Sequence, residues 1–505
     1  MRSQALPTTC SRRPNPPGAS GPGSSAGSEV VERSGCNRSK PCGMRVGFPA
    51  RKWSPQEPGV QFLSEGFCQV PGSTIMLPSS RNRLVLGVGL IALAGLATWY
   101  GNQIAPNIQD LSAAWNRSYL FPLMTPVGAD FRNGVYLPGS LLAIGLDPYG
   151  ATTFWYPPFS ALFFLPFQLI APDRAYMIHT FVLILLNFAS IGCVIRLTKS
   201  VVPAGEATRE TRIPGMTLPL FLSLAFVAVS SYGFLFSIER GNFDLYAMAF
   251  SLAGLWILIR SPNRIWLQVL CVSVAAHLKV YPAVLLLLLL WKHGRRCIVP
   301  MASINAALLL CIGLTPALHF IDRLSDLGDS LRVWVGNHSA ASFGQMVNEF
   351  LGIRGLPAIS GMLFLGAPVM VWLGTVWILL RRGYSNTTAV WLFAATVPLM
   401  NLVPSTSHDY KLVLLGAPFT VLLVHLLDDY VSSGRPLALA QMAAACTLLA
   451  ILSVSYVAFA PVLGNKYPFI VGCQLLLLWV LLTLPSASGQ RLPSRSEADH
   501  ALPTP

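Results

Sequence analysis

The sequence predicts an all-α polytopic membrane protein with about twelve transmembrane helices. Three observations lead there. Hydrophobic residues fill 53% of the 505 positions, charged residues only 11%, and the mean hydropathy is +0.56. A soluble chain carries about a quarter charged residues. Apolar runs of roughly 18 residues or more recur along the chain, bounded by charges.

The elements follow in order. Residues 1–80 are rich in Pro, Gly, Ser and Arg and lack apolar periodicity. That composition cannot bury a core, so the segment reads as a disordered basic cytoplasmic tail. No signal-peptide apolar stretch precedes Leu84. Met76 stands just before Arg81-Asn-Arg83 and the first span, as a natural start would. The tail therefore reads as an over-extended gene start or a dispensable extension.

Candidate spans are Leu84–Tyr100, Tyr176–Leu197, Met216–Phe236, Leu245–Ile259, Ile265–Leu278, Ala283–Trp291, Ile298–Leu318, Leu356–Leu380, Val390–Val403, Leu412–Leu427, Leu437–Val462 and Phe469–Leu484. Residues 486–505 form a second disordered cytoplasmic tail. Phe159–Ile170 is apolar but about twelve residues long, typical of an interfacial or re-entrant segment.

Charge decides whether that segment crosses. If it does not, Arg196, Lys199, Lys292, Arg295, Arg296, Arg381 and Arg382 fall on one side, and most acids fall on the other. If it does, every later loop swaps sides. The first arrangement obeys the positive-inside rule. Both termini are then cytoplasmic, with large outer loops at 101–175 and 319–355.

The formal charge of +14 is spread over short loops and the N-terminal tail, as orientation signals are, so nucleic acid is not an expected partner. Ten cysteines form no CxxC. Cys36 and Cys42 lack zinc-ligand spacing, and Cys193, Cys271, Cys311 and Cys446 lie in apolar helices as small hydrophobes. Asn116-Arg-Ser118 and Asn337-His-Ser339 match the glycosylation pattern, read here as incidental.

With this topology the polar groups beside the spans collect on the outer face. They are Asp130 and Asp147 in the first loop, then Glu239-Arg240-Gly241-Asn242-Phe243-Asp244 and His277-Leu-Lys279-Val-Tyr281-Pro282. Asn337-His338-Ser339, Gln345, Asn348 and Ser405 through Lys411, with His408 among them, complete the set. Ionisable residues at span ends are costly unless paired or wet, so their one-sided clustering is a site hypothesis.

These residue types suit sugar transfer from a lipid phosphate. An acceptor hydroxyl needs a carboxylate to take its proton, a contribution of about 10²–10⁴-fold in rate. Lys and Arg can meet the charge that develops on a departing phosphate. No Asp-x-Asp pair occurs to hold a metal for a nucleotide-sugar donor, and neither metal nor cofactor is expected. Asp147, followed by Pro148, reads as a turn residue.

The pattern resembles glycosyltransferase family 87, C-type membrane enzymes that use polyprenyl-phosphate sugars. The resemblance rests on Asp130, on Gly145 with Pro148-Tyr149, and on Tyr156-Pro157-Pro158. It continues through Arg240-Gly241-Asn242-Phe243-Asp244, Lys279-Val-Tyr-Pro282, Asn337-His338-Ser339 and Ser405 through Tyr410, over roughly residues 84–430. Two elements depart from the family pattern: Gly-Asn-Phe-Asp replaces Gly-Gln-x-Asn, and Asn-His-Ser replaces Asn-Gln-Ser.

The resemblance implies a C-type fold whose first outer loop forms membrane-parallel helices over a cavity. Residues 81–430 would be the catalytic membrane region and 431–485 the C-terminal spans. Asp130 would be the base of an inverting transfer. Lys279, Arg240 and His408 would bind the donor phosphate. Tyr149, Tyr156, Asn242, Asn337 and His338 would contact the sugar or acceptor. The partners implied are a polyprenyl-phosphate sugar donor (mannose favoured), a lipid or glycan acceptor, and the bilayer. The main rival is a secondary transporter or flippase, which would show internal repeats and mid-membrane charges; neither is visible. A protein O-mannosyltransferase ranks lower, because Asp130 is followed by Phe131 and not by a second acid.

Overall fold

The computed structural model describes residues 79–104, 128–150, 154–201, 217–330, 339–340, 344, 357–382, 384–404, 407–455 and 467–483. Residues 1–78 and 484–505, Asn116-Arg-Ser118, Asn337, His338, Gln345, Asn348 and Ser405 fall outside them. Among the described residues every element is helical and there is no strand.

Helix α1 spans Ser80–Trp99, capped by Ser79, whose hydroxyl accepts the Asn82 N–H at 3.3 Å. Its Val85, Leu86, Leu93 and Leu96 point outward, while Gly87, Ile91, Ala94 and Thr98 are buried. Exposed apolar stripes of this kind suit lipid rather than water. After the 128–170 region comes α5, Pro172–Val201. It buries Ala175, His179, Leu183, Asn187 and Ile191, one residue per turn on a single face. Met177, Ile178, Phe181 and Leu185 face out.

The 128–170 region is built from short pieces. Helix α2 (Ala129–Phe131) loosens into a π turn over Arg132–Tyr136 and resumes as α3 (Leu137–Ala143). Helix α4 (Pro158–Phe163) passes into a 3-10 turn over Leu165–Leu169. Pro158 and Pro166 start these two turns, where a missing N–H costs nothing. Together they cover twelve residues, about 18 Å at a helical rise and short of a hydrocarbon core of roughly 30 Å. This is the stretch predicted not to cross.

Several predicted spans are broken. The run predicted as Met216–Phe236 is α6 (Thr217–Ser230) and α7 (Tyr232–Arg240), bent by 56°. Ser231 makes the break: its hydroxyl accepts the Phe234 N–H at 3.4 Å and caps α7. Asn102 holds it from the far side, donating to the carbonyls of Ser230 and Ser453 at 2.8 Å each. Those carbonyls end two helices and have no partner within them. The run predicted as Ile298–Leu318 likewise divides. It becomes α11 (Ile298–Leu309) and α12 (Leu314–Ser330), turned at Gly313, whose φ is 111°. The longer pair containing them, Tyr281–Leu309 with Leu314–Leu324, is bent by 98°.

The intervening helices are α8 (Asp244–Arg260), α9 (Ile265–Leu278) and α10 (Leu286–His293), the last preceded by a 3-10 turn over Tyr281–Leu285. Then come α13 (Pro357–Arg382) and α14 (Asn386–Leu402). A 3-10 helix over Asp409–Leu415 leads into α15 (Gly416–Ser433). Last are α16 (Pro436–Ser453) and α17 (Tyr467–Leu482). Residues 389–402 of α14 are buried on every face, making it the central helix. Among the described residues, four helices are long and apolar enough to span a bilayer, or six if each bent pair counts once. Four shorter apolar helices add to them, and the chain is a multi-pass membrane protein.

Candidate functional site

The site begins at the end of α7. Gly241 follows Arg240 with φ 66° and ψ 39°, the left-handed conformation that glycine adopts without strain. Its N–H bonds the Ile238 carbonyl at 2.9 Å, and the Asn242 N–H bonds the Ser237 carbonyl at 2.9 Å. This is a Schellman stop. It turns Arg240 and Asn242 toward the segment that carries Asp130.

That segment is pinned to the same turn. The Gly128 N–H donates to the Glu239 carbonyl at 2.7 Å. From α5, Tyr176 donates its hydroxyl to the Ile238 carbonyl at 2.6 Å, and His179 Nε2 meets the Gly241 carbonyl at 3.1 Å. The Phe131 ring packs 5.0 Å from His179 and 5.5 Å from Tyr176. A Cβ on Gly241 would lie 2.5 Å from the Phe131 Cβ, so the approach is as close as the chain permits.

Asp130 is thereby held on both oxygens. Arg240 donates Nε and Nη2 to Oδ1 at 3.1 and 2.5 Å, and Asn242 donates Nδ2 to Oδ2 at 3.3 Å. The two side chains of the ion pair are 22% and 19% exposed, so the carboxylate is oriented yet still reachable. Asn242 also accepts the Asp244 N–H on Oδ1 at 3.2 Å, starting α8.

A second, deeper pair lies beyond. Lys279 ends α9 with extended backbone, three residues before Pro282. Its ammonium is 3% exposed overall as a residue and stands 3.4 Å from Asp244 Oδ1. The rings of Phe243 and Tyr156 flank it at 4.1 and 4.2 Å from their centroids, within cation–π reach. Burial opposes its charge, but Asp244, Tyr156 and Asp130 outweigh it and hold Lys279 above the usual ammonium range. Tyr281 donates to the same Asp244 Oδ1 at 2.6 Å. Lys411 is buried with its ammonium 5.1 Å from the Tyr281 ring, and Asp409 accepts the Tyr232 hydroxyl at 2.6 Å. The 3-10 helix that carries both can sit this close because Gly233 has no Cβ. One there would meet the Val413 nitrogen at 2.7 Å.

Of the residues singled out in the sequence, Asp130, Arg240, Asn242, Lys279 and Tyr156 come together. His408 is half-buried at the start of the 3-10 helix, 5.5 Å ring to ring from Tyr410, whose ring is itself 5.5 Å from the Lys279 ammonium. Tyr149 lies apart. It is buried in a small cluster with Phe154, Ala161 and Phe320, and it donates its hydroxyl to the Tyr156 carbonyl at 2.5 Å. It braces the loop beneath Tyr156, and burial first, then Asp147, raise its phenol above the ordinary range. Asn337 and His338 lie outside the described residues.

Asp147 forms the turn expected of it, accepting the Tyr149 N–H at 2.9 Å, and it also meets His319 Nδ1 at 2.5 Å. His277 turns from the cluster to Asn305, at 3.2 Å. Arg240's carboxylate partner is Asp130, and Asp244 goes to Lys279 instead. Sequence reasoning collected Asp244, Tyr281 and Lys411 on the outer face without giving them a role, and it missed His179 and Tyr176 as supports. Asp244 had a signal, an acid in the first turn of a span; His179 had only the polar residue on an apolar face. Among the described residues, no three of His, Cys, Asp and Glu converge on a possible metal position.

The cluster can take a proton at Asp130, offer positive charge at Arg240, Lys279 and Lys411, and present aromatic faces. No curated protein matches the chain. Residues 154–406 match glycosyltransferase family 87. That stretch contains Tyr156, Arg240, Asn242, Asp244 and Lys279, while Asp130, Tyr149 and His408 flank it. The match spans half of the 505 residues, and the chain belongs to glycosyltransferase family 87.

Proposed function

We propose that this membrane glycosyltransferase moves a hexose, mannose in the favoured reading, from a polyprenyl phosphate to a hydroxyl of a lipid-linked or glycan acceptor. The observation that carries the reading is the Asp130 carboxylate, fixed by Arg240 and Asn242 within electrostatic range of Lys279. Asp130 takes the proton of the acceptor hydroxyl as that oxygen attacks the anomeric carbon from the face opposite the phosphate. The new C–O bond forms as the old one breaks. Its electron pair leaves on the phosphate oxygen, and the anomeric configuration inverts. Arg240 orients the base and lends its charge to the departing phosphate, with Lys279 and His408 as its other partners. Tyr156 offers the sugar a ring face, and Asn242 fixes the base. Asn337 and His338 are proposed contacts of the sugar or the acceptor.

Basic loops on one side and acids on the other support an extracytoplasmic site in a cell membrane, with cytoplasmic termini. The twelve-span count and the C-type architecture belong to the same proposal.

The test is transfer of labelled mannose from polyprenyl-phosphate mannose, in membranes containing wild type or Asp130→Asn. The isosteric amide cannot take a proton, so turnover falls about 10²–10⁴-fold while the protein still inserts. Equal activity in both removes Asp130 from the chemistry.

A further inference from the structure

Asp244 stands on the first turn of α8 with its side chain fully enclosed. The two carboxylate oxygens are treated very differently. Oδ1 receives the Tyr281 hydroxyl at 2.6 Å and faces the Lys279 ammonium at 3.4 Å. Oδ2 is equally buried and meets no hydrogen-bond donor. The N–H of Asp244 itself is taken by Asn242, so the helix start does not serve Oδ2 either. Buried polar atoms in folded proteins are overwhelmingly partnered, and a charged one left alone is among the costliest exceptions.

We infer that Asp244 Oδ2 is the acceptor for one hydroxyl of the sugar substrate, which makes Asp244 a specificity residue. This rests on the transfer reading above and adds the part of the substrate that Asp244 recognises. The chemistry of the surroundings narrows the ligand. Phosphate or carboxylate would be repelled by the carboxylate itself. A second cation would crowd Lys279 and Lys411, whose charges already reach Asp244. A neutral O–H donor fits. Around it stand Tyr156, Tyr281 and Tyr410, each half-buried and close enough to feel the charge of Asp244. Each of these rings is itself partly exposed, so a hydroxyl reaching Oδ2 would pass where one of them turns aside. Their faces also suit the C–H surface of a pyranose.

Asn242 makes the placement specific. One end of its amide holds Asp130 and the other starts the helix that carries Asp244, so base and binder keep a fixed separation. The division of labour follows from exposure: the Asp130 side chain is 19% exposed and open to an incoming alcohol, whereas Asp244 is 0% exposed.

The probes are short-chain prenyl-phosphate mannose, its glucose and galactose counterparts, and the four monodeoxy mannose analogues (2-, 3-, 4- and 6-deoxy), bound to the purified full chain in nanodiscs. Wild type is expected to bind one deoxy analogue about 10- to 100-fold more weakly than its parent, the span of a hydrogen bond to a charged group. In Asp244→Asn that discrimination shrinks to a few-fold at most, while binding of the other three analogues relative to the parent is unchanged. The reason is charge: Tyr281 and Lys279 keep the amide oxygen on the Oδ1 side, so a neutral NH2 stands at Oδ2 and can meet the hydroxyl oxygen only without the charge-assisted bond. If Asp244→Asn does not fold, the doubly neutral Asp244→Asn/Lys279→Met variant is read instead as the ratio of analogue to parent, because losing the phosphate partner Lys279 weakens every probe alike. Should wild type discriminate against none of the analogues, the role is excluded without any variant. Discrimination unchanged in the variants excludes it too, with transfer intact. The expected binding pattern without transfer removes the transferase chemistry and leaves Asp244 as a hydroxyl acceptor. No binding of any of the hexose probes overturns both.

Discussion

Replacing Gly241 by alanine tests how the proposed base is positioned, because it perturbs Asp130 without touching a charged group. Two costs can be separated. The residue sits at φ 66°, where an L side chain costs about 1–2 kcal/mol. The new Cβ would also lie 2.5 Å from the Phe131 Cβ and 2.9 Å from Tyr176 Cε2. Carbon atoms pack at about 3.5–4.0 Å, so the Phe131 backbone must retreat by about 1 Å. Asp130 is the adjacent residue and moves with it, away from Arg240 and Asn242. A misplacement of about 1 Å costs about 10²-fold in rate. Gly294→Ala is the control: at φ 57° it carries backbone strain, but nothing lies within 4 Å of its Cβ. The assay is hexose transfer from polyprenyl phosphate by purified protein in liposomes, with thermal unfolding followed in parallel. Both variants should lose stability, Gly241→Ala also through its clash, and only Gly241→Ala should lose turnover, by about 10²-fold. If Gly241→Ala kept a third of wild-type turnover, or Gly294→Ala lost as much, the docking of Phe131 on Gly241 would not position the base.

Two further outcomes are expected. Lys279→Met leaves Asp244 buried without its cation and should destabilise the protein by about 3–5 kcal/mol, and adding Asp244→Asn should restore most of that; a double variant no more stable than the single one in thermal unfolding would contradict the pairing. A cysteine placed at Gly205 should react with membrane-impermeant maleimide only from the cytoplasmic side, and labelling from outside would reverse the proposed orientation.

Residue chemistry made much of the site legible before any coordinates. A carboxylate, an arginine, an asparagine and a lysine at span ends are costly there unless they meet, and Asp130, Arg240, Asn242 and Lys279 do meet. Their pairing was not legible, because Asp130 and Arg240 are 110 residues apart and no local spacing relates them. Glu239 and Asp244 are the acids nearest Arg240 in sequence, yet the fold pairs Arg240 with Asp130 and Asp244 with Lys279. Hydropathy located the apolar runs but averaged over their breaks. Ser231 and Gly313 sit inside stretches that remain apolar on both sides, so a sliding window reads through them. Tyr149 shows the limit of residue type: an aromatic beside a site can face the substrate or brace the loop, and only its hydroxyl bond to the Tyr156 carbonyl distinguishes them.

Those breaks are related to the chemistry. Backbone that leaves the α-helix exposes N–H and C=O groups, which a bilayer protein tolerates where protein or a wet cavity satisfies them. Here the irregular turns surround the polar cluster. The Schellman stop at Gly241, the extended residue Lys279 with its 3-10 continuation, and the 3-10 helix from Asp409 each deliver a functional side chain. An unbroken helix presents side chains along its length, spaced by turns, toward lipid or neighbouring helices. Ending one there brings Arg240 and Asn242 together on Asp130 and Asp244 to the neighbouring Lys279, whereas in a continuous helix Asn242 would point away from Arg240. The interrupted spans thus follow from the same requirement that places two carboxylates and three cations together in an apolar bundle.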